Sequence, residues 1–186
     1  MKFILNTATD THFCASFDEQ GELIKTQEWT NRRRDGEEVY EFLQAVETSK
    51  ITFCGGVTGP GGFSSLRAGG GMLNALTFAN KIPVHQVRAD IWIKELLGTT
   101  DFLLNSFSDG VFYTEGEELV RIGVLEAVKK FKDKEMWVEL LPVEKREKFT
   151  KQSKVPFANK EQILLKVLEM SQSKEQFEPD YEFPPV

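Results

Sequence analysis

Apolar positions along the chain repeat with two different periods, and the periods take turns. Residues 2–7 are a nearly continuous apolar run and predict a buried strand. Residues 11–18 and 22–29 predict two more, joined through Asp18-Glu19-Gln20-Gly21, whose glycine suits the positive φ of a hairpin turn. From 35 to 49 the period lengthens. Val39, Phe42, Leu43 and Val46 fall at i, i+3, i+4 and i+7, which predicts an amphipathic helix, with Asp35 and Glu38 spaced for a capping box. A short strand at 51–55, a helix at 63–80, a strand at 82–87 and a helix at 90–97 follow. The order βββαβαβα predicts a mixed sheet with helices packed on it, an α/β fold.

The second half is less regular. Residues 102–107 and 111–114 predict a hairpin closed by Ser108-Asp109-Gly110, and 117–122 a further strand. A short helix at 124–131 and a strand at 136–140, ended by Pro142, come next. Residues 142–159 read as charged and irregular. A last helix at 160–171 carries Ile163, Leu164, Val167 and Leu168 on one face. Pro179 to Val186 reads as an extended tail. The plan of hairpin followed by helix occurs loosely in both halves, residues 1–100 and 101–186, a hint of duplication that the pattern alone does not establish.

Composition narrows the function classes. Of 186 residues, 40% are hydrophobic and 28% charged, which is globular composition, and fifteen Phe predict a well-filled core or a core plus an apolar contact face. No run of about 18 apolar residues is present, so no membrane span is expected. The first six residues turn polar too early for a secretory signal, and Cys14 and Cys54 form no C-x-x-C pair, so reduced thiols in a cytoplasmic protein are expected. The net charge of −6 argues against a principal RNA-binding role, because phosphate contacts need a basic face.

The informative segment is Gly56-Val57-Thr58-Gly59-Pro60-Gly61-Gly62-Phe63-Ser64-Ser65-Leu66-Arg67, which follows a strand and opens a helix. It reads either as a phosphate-cradling loop or as a tight strand-to-helix turn with no ligand. Neither the Walker A pattern nor G-x-G-x-x-G fits. The helix then contains Gly69-Gly70-Gly71. Three glycines oppose a helix by roughly 3 kcal/mol. They imply close approach of the sheet or of a helix from another chain, or a break in the helix.

Other candidates are sparse. His12 and His85 lie in no metal-binding pattern, and no Ser-His-Asp or Cys-His arrangement is legible. Arg32-Arg33-Arg34 reads as a contact for nucleic-acid phosphates or an acidic partner, or as a solvated loop. Tyr40, Met72 and Trp92 on predicted helices belong to the core or to a contact with another chain.

Gly59-Pro60-Gly61-Gly62-Phe63-Ser64-Ser65-Leu66-Arg67-Ala68-Gly69 resembles the G-P-G-S-F-T-G-L-R-x-G signature of the TsaB (YeaZ) family. Asn6-Thr7-Ala8-Thr9-Asp10 resembles that family's D-T-S-T-x turn, and Val111-Phe112-Tyr113 its E-V-Y hairpin. Pro179-Asp180-Tyr181-Glu182-Phe183-Pro184-Pro185 resembles its terminal P-x-Y-x-x-x-P. The resemblance implies an actin-like fold with two ribonuclease-H-like lobes, the second reduced. It implies a non-catalytic scaffold or activator that pairs with a TsaD-like catalytic subunit through the first two helices, joined by a TsaE-like ATPase. The assembly modifies an adenosine of tRNA to N6-threonylcarbamoyladenosine, and tRNA is met only through the complex. The implied partner face comprises Tyr40, Leu43, Leu66, Gly69, Gly70, Gly71, Met72, Leu73 and Leu76, and the same helices offer a route to a homodimer.

The departures point to a divergent member without a cofactor. Asn6 replaces an aspartate that sits near metal and phosphate in working ATPases, so Asn6, Thr7 and Thr9 are degenerate phosphate-loop positions. Ser65 replaces a glycine, Asn74 replaces a lysine, and the D-A-R element is lost at Phe107-Ser108-Asp109. The alternative reading is a small-molecule kinase of the same superfamily, with Asp10 or Asp109 left to hold Mg²⁺.

Overall fold

The computed structural model describes residues 1–30, 34–106, 108–153 and 159–181. Its centre is a six-stranded sheet. Strand β1 (Lys2–Asn6) pairs antiparallel with β2 (His12–Phe17), which pairs antiparallel with β3 (Leu23–Trp29). On its other side β1 runs parallel to β4 (Phe53–Val57), and β4 parallel to β5 (Val84–Val87). The hairpin turn forms as its sequence predicts, with Gly21 at φ 91° and the Asp18 carboxylate accepting the Glu22 N–H at 2.8 Å.

Period-two alternation sorts side chains to the two faces of this sheet. Phe3 and Leu5 point to one side, where α1 (Asp35–Gln44) and α2 (Phe63–Asn80) bring Val39, Phe42, Leu73 and Leu76. Ile4, Phe13, Ala15 and Phe17 point to the other, where α3 (Ala89–Leu97) brings Trp92 and Ile93. Each fully buried Leu or Phe contributes about 1.5–3 kcal/mol. Burial of Leu66, Leu73 and Leu76 thus offsets the propensity loss at the three glycines, and α2 runs unbroken through them.

Two readings near α1 are corrected. The helix stops at Gln44 rather than 49. The N–H groups of Ala45 and Val46 close tighter turns onto the Phe42 and Leu43 carbonyls, and Thr48–Lys50 make one separate 3₁₀ turn. The capping box does not form. Arg34 occupies the cap position with no side-chain capping bond, and Asp35 is the first helical residue with its carboxylate turned into the core.

The second half builds a three-stranded sheet from β6 (Leu104–Asn105), β7 (Gly110–Glu115) and β8 (Glu118–Gly123), with α4 (Val124–Lys130) against it. Strand β9 (Met136–Trp137) is shorter than its apolar run suggests. The segment read as irregular holds a one-turn α5 (Val143–Arg146) and β10 (Gln152–Ser153), parallel to β9. Then α6 (Lys160–Met170) returns to the first sheet and packs beside α3, and β11 (Ser173–Lys174) adds a sixth strand antiparallel to β5. The last described residues cross back over α2.

Candidate functional site

The turn at the carboxyl end of β1 is hydrogen-bonded to itself. Asn6 is fully buried, and its amide is spent on its own turn. Nδ2 donates to Thr9 Oγ1 at 2.6 Å and to the Thr11 carbonyl at 3.3 Å, while Oδ1 accepts the Ala8 N–H at 3.1 Å. Thr9 Oγ1 in turn donates to the Thr11 carbonyl at 2.8 Å. Thr7 and Thr9 are buried. The glycine-rich loop lies directly on this turn. A Cβ at Gly61 would stand 2.6 Å from the Ala8 carbonyl oxygen and 2.8 Å from its Cα, so only glycine allows the two backbones to meet.

The loop is further pinned at its edges. Thr58 N–H donates to the Val87 carbonyl at 2.9 Å, and Ala89 N–H to the Gly59 carbonyl at 2.7 Å. Asp109, the kinase candidate of the second half, caps β8 through its carbonyl, which accepts the Val124 N–H at 2.7 Å.

Successive residues of α2 point about 100° apart, and the glycine triplet has three different neighbours. A Cβ at Gly69 would lie 2.5 Å from Thr7 Oγ1 and 3.4 Å from Leu5 Cδ2, on the sheet side. One at Gly70 would lie 3.0 Å from Phe177 Cδ1 and 3.4 Å from Pro179 Cγ, so the chain's own tail takes that space. One at Gly71 would meet nothing within 4 Å. Leu66 and Leu73 are enclosed by the chain's own core, and Leu43 and Leu76 are buried. Of the residues assigned to a partner face, Tyr40 (58% exposed) and Gly71 stand outward, and Met72 is half-buried. Sequence reasoning missed the rest of this outer surface. Ser64, Arg67, Gly71, Ala75 and Phe78 form one exposed stripe along α2, and Phe78 is 88% exposed. Beside it, α1 exposes Glu37, Tyr40, Glu41 and Gln44.

Of the arginine run, Arg32 and Arg33 lie outside the described residues. Arg34 pairs within its own helix, with Glu37 at 3.0 Å and Glu38 at 3.1 Å. Cys14 and Cys54 sit opposite Leu5 and Phe3 on the two flanks of β1, about 10 Å apart across the strands, too far for a disulfide. Burial pushes the Cys54 thiol up to about 12 and the Cys14 thiol higher still, so neither is a nucleophile at neutral pH. Trp92 is core.

A polar cluster with no sequence signal sits beneath the start of α1. His12 Nδ1 meets Asp35 Oδ1 at 2.6 Å, and Trp29 Nε1 donates to the same oxygen at 2.7 Å. His12 and Asp35 are 1% and 3% exposed, and His12 Nε2 has no partner among the described residues. Burial pushes the Asp35 carboxyl up. Hydrogen bonds from His12 and Trp29, with the nearby Ser65 hydroxyl, outweigh burial and hold it below the ordinary range. No hydrogen bond of full geometry reaches Oδ2. Among the described residues, no group of three His, Cys, Asp or Glu is placed to hold a metal.

This combination of a 3-2-1-4-5 sheet, helices on both faces and a glycine loop seated on the first turn defines a mixed α/β fold. No protein-family profile and no curated protein matches the chain. Solved structures do. An uncharacterized protein with similarity to peptidase YeaZ from Pseudomonas aeruginosa aligns over 97% of this chain and 98% of its own, with a TM-score of 0.61 at 16% identity. That likeness shows the fold. YeaZ from Pseudomonas aeruginosa aligns over 66% of this chain and 64% of its own, just under two thirds, at 20% identity and a TM-score of 0.49. The ethanolamine utilization protein EutJ from Carboxydothermus hydrogenoformans aligns over 70% and 57%, at 11% identity and 0.36.

Proposed function

We propose that this chain is a non-catalytic partner subunit of the TsaB kind, which associates with a TsaD-like catalytic subunit through the outer faces of α1 and α2. The observation that carries the reading is a first turn whose polar groups are satisfied within the chain. Gly61 rests on the Ala8 backbone, and the Asn6 amide is consumed by Thr9, Thr11 and Ala8. A chain that kept nucleotide chemistry would need free ligand groups at the end of β1, and the Asn6 amide has none to spare. The exposed stripe of α2, small at Gly71 and Ala75 and bulky at Phe78, supports close helix packing against a second protein. A TsaE-like ATPase completes the proposed assembly, and tRNA is reached only through it. The place of action is the cytoplasm, consistent with the lack, among the described residues, of a helix long and apolar enough to cross a membrane.

The test is calorimetry of the purified chain with Mg-ATP, alongside size-exclusion chromatography with a TsaD-like protein. The expected result is no nucleotide heat and a stable complex. Micromolar Mg-ATP binding would favour a kinase of the same superfamily, and a dimer indifferent to the partner would favour self-association.

A further inference from the structure

The segment after α6 is held by contacts that read a peptide backbone. Past β11 the chain turns and runs back beside α2 toward the end of β4. Asn74 Oδ1 accepts the Phe177 N–H at 2.6 Å, and Asn74 Nδ2 donates to the Phe177 carbonyl at 3.3 Å. Gln86 Oε1 accepts the Glu178 N–H at 3.0 Å, and the Thr58 carbonyl accepts the Asp180 N–H at 2.7 Å. The Phe177 ring enters a slot cleared by two glycines. A Cβ at Gly56 would lie 3.3 Å from the ring and one at Gly70 3.0 Å. Pro179 lies along Gly70, and the Tyr181 ring rests on Phe63 with centroids 4.8 Å apart.

The two sides of this contact differ in how much each buries. The slot is built from a long helix and two central strands. In the segment from 172 to 180 Phe177 is the one buried residue, and Gln172 to Gln176, Glu178 and Asp180 are exposed. Ordering such a segment opposes its binding at every residue, and segments with few buried apolar contacts open far more readily than the fold as a whole. Main-chain contacts that supply affinity, with one side-chain pocket that supplies selectivity, are how folded proteins take up extended peptides.

We propose that the slot between α2 and the β4–β5 strands is a binding site for an extended peptide with an aromatic anchor and a proline two residues beyond it. Residues 177–181 fill it in cis as a displaceable occupant. A partner presenting such a segment enters when the tail opens, so its apparent affinity is reduced by the fraction of time the slot is closed.

The test uses the full chain. In hydrogen–deuterium exchange, amides of 177–180 in the native protein should exchange through a local opening that is insensitive to low denaturant, while those of β1 exchange only on global unfolding. A fluorescent synthetic peptide of residues 172–181 should bind the Phe177→Ala chain saturably and about tenfold or more tighter than the native chain, because the open fraction rises. Unlabelled native peptide should compete, and a peptide lacking the aromatic ring should not. Tail amides that exchange only with global unfolding would overturn the proposal. So would a peptide that binds neither chain, or both alike. If Phe177→Ala does not fold, Tyr181→Ala, which loosens the far end without opening the core, takes its place under the same criteria.

Discussion

Asn74 closes a two-point ring with the peptide of Phe177, accepting its N–H at 2.6 Å and donating to its carbonyl at 3.3 Å. A lysine at this position, as in the family the sequence resembles, could donate but not accept. The asparagine therefore belongs to the tail contact. In Asn74→Ala the lost bonds, about 1 kcal/mol each, are partly offset by the better helix propensity of alanine. Global stability should change by about 1 kcal/mol or less, while Phe177 exchanges its amide roughly fivefold faster or more. Unchanged exchange at Phe177 would mean that the ring, not the amide clamp, holds the tail.

The three glycines of α2 should respond to alanine in opposite directions. Gly71→Ala adds a methyl into open space and removes helix-interior glycine, so it should stabilise by about 0.5–1 kcal/mol. Gly69→Ala forces a Cβ to 2.5 Å from Thr7 Oγ1 and should destabilise by about 1–3 kcal/mol. Denaturant unfolding reads both. In the subunit reading, Gly71→Leu should leave the fold intact and abolish association with the TsaD-like partner in size-exclusion chromatography. If it binds as the native chain does, the outer stripe of α2 is not the contact.

Much of the architecture was legible because burial obeys local periodicity. The run Phe3-Ile4-Leu5 sorts to two faces, and Phe63–Asn80 is a helix at the bounds its pattern predicts. The hairpin at Asp18–Gly21 follows from one glycine and one aspartate. The site was legible only in part, because its decisive contacts are long-range. Asp35 matched a local capping rule, yet tertiary hydrogen bonds to His12 and Trp29 pulled it inward. Gly70 was expected at a partner helix, and its neighbour lies over 100 residues away in the same chain, at Phe177. An alternating Phe177-Glu178-Pro179 pattern in a polar tail was the available hint. No local rule says which glycine such a tail will cover.

Asn6→Asp should weaken the fold without creating an ATPase. The substitution replaces a donor by a carboxylate facing the Thr11 carbonyl, at a position with no solvent exposure. Thr9 could donate to the new carboxylate only by giving up its own bond to Thr11. The expected loss is about 2–3 kcal/mol in denaturant unfolding, from a buried acceptor left against an acceptor. ATP turnover should stay at background, because the glycine loop still rests on the Ala8 backbone. Turnover that rises with the substitution would show that the glycine loop can lift off Ala8.

The Asp35 carboxylate should tie stability to acid pH. Its carboxyl is held below the ordinary range in the folded chain by the His12 and Trp29 hydrogen bonds, which outweigh burial. The unfolded chain therefore takes up the proton first. The stabilisation is complete above the unfolded value, about 3.9, and is lost as the pH falls through the lower folded value. Asp35→Asn keeps an oxygen for both donors but removes the charge, so it should destabilise by about 1.5–3 kcal/mol at neutral pH. It should also flatten the decline in stability between roughly pH 4 and the acid end. His12→Gln, which removes the 2.6 Å contact while retaining a donor, should shift the same limb toward higher pH. The measurement is the pH dependence of denaturant unfolding for the three chains, collected from pH 2.5 upward. Parallel acid limbs in native and Asp35→Asn chains would show that other carboxylates govern acid unfolding and that this cluster holds α1 through shape alone.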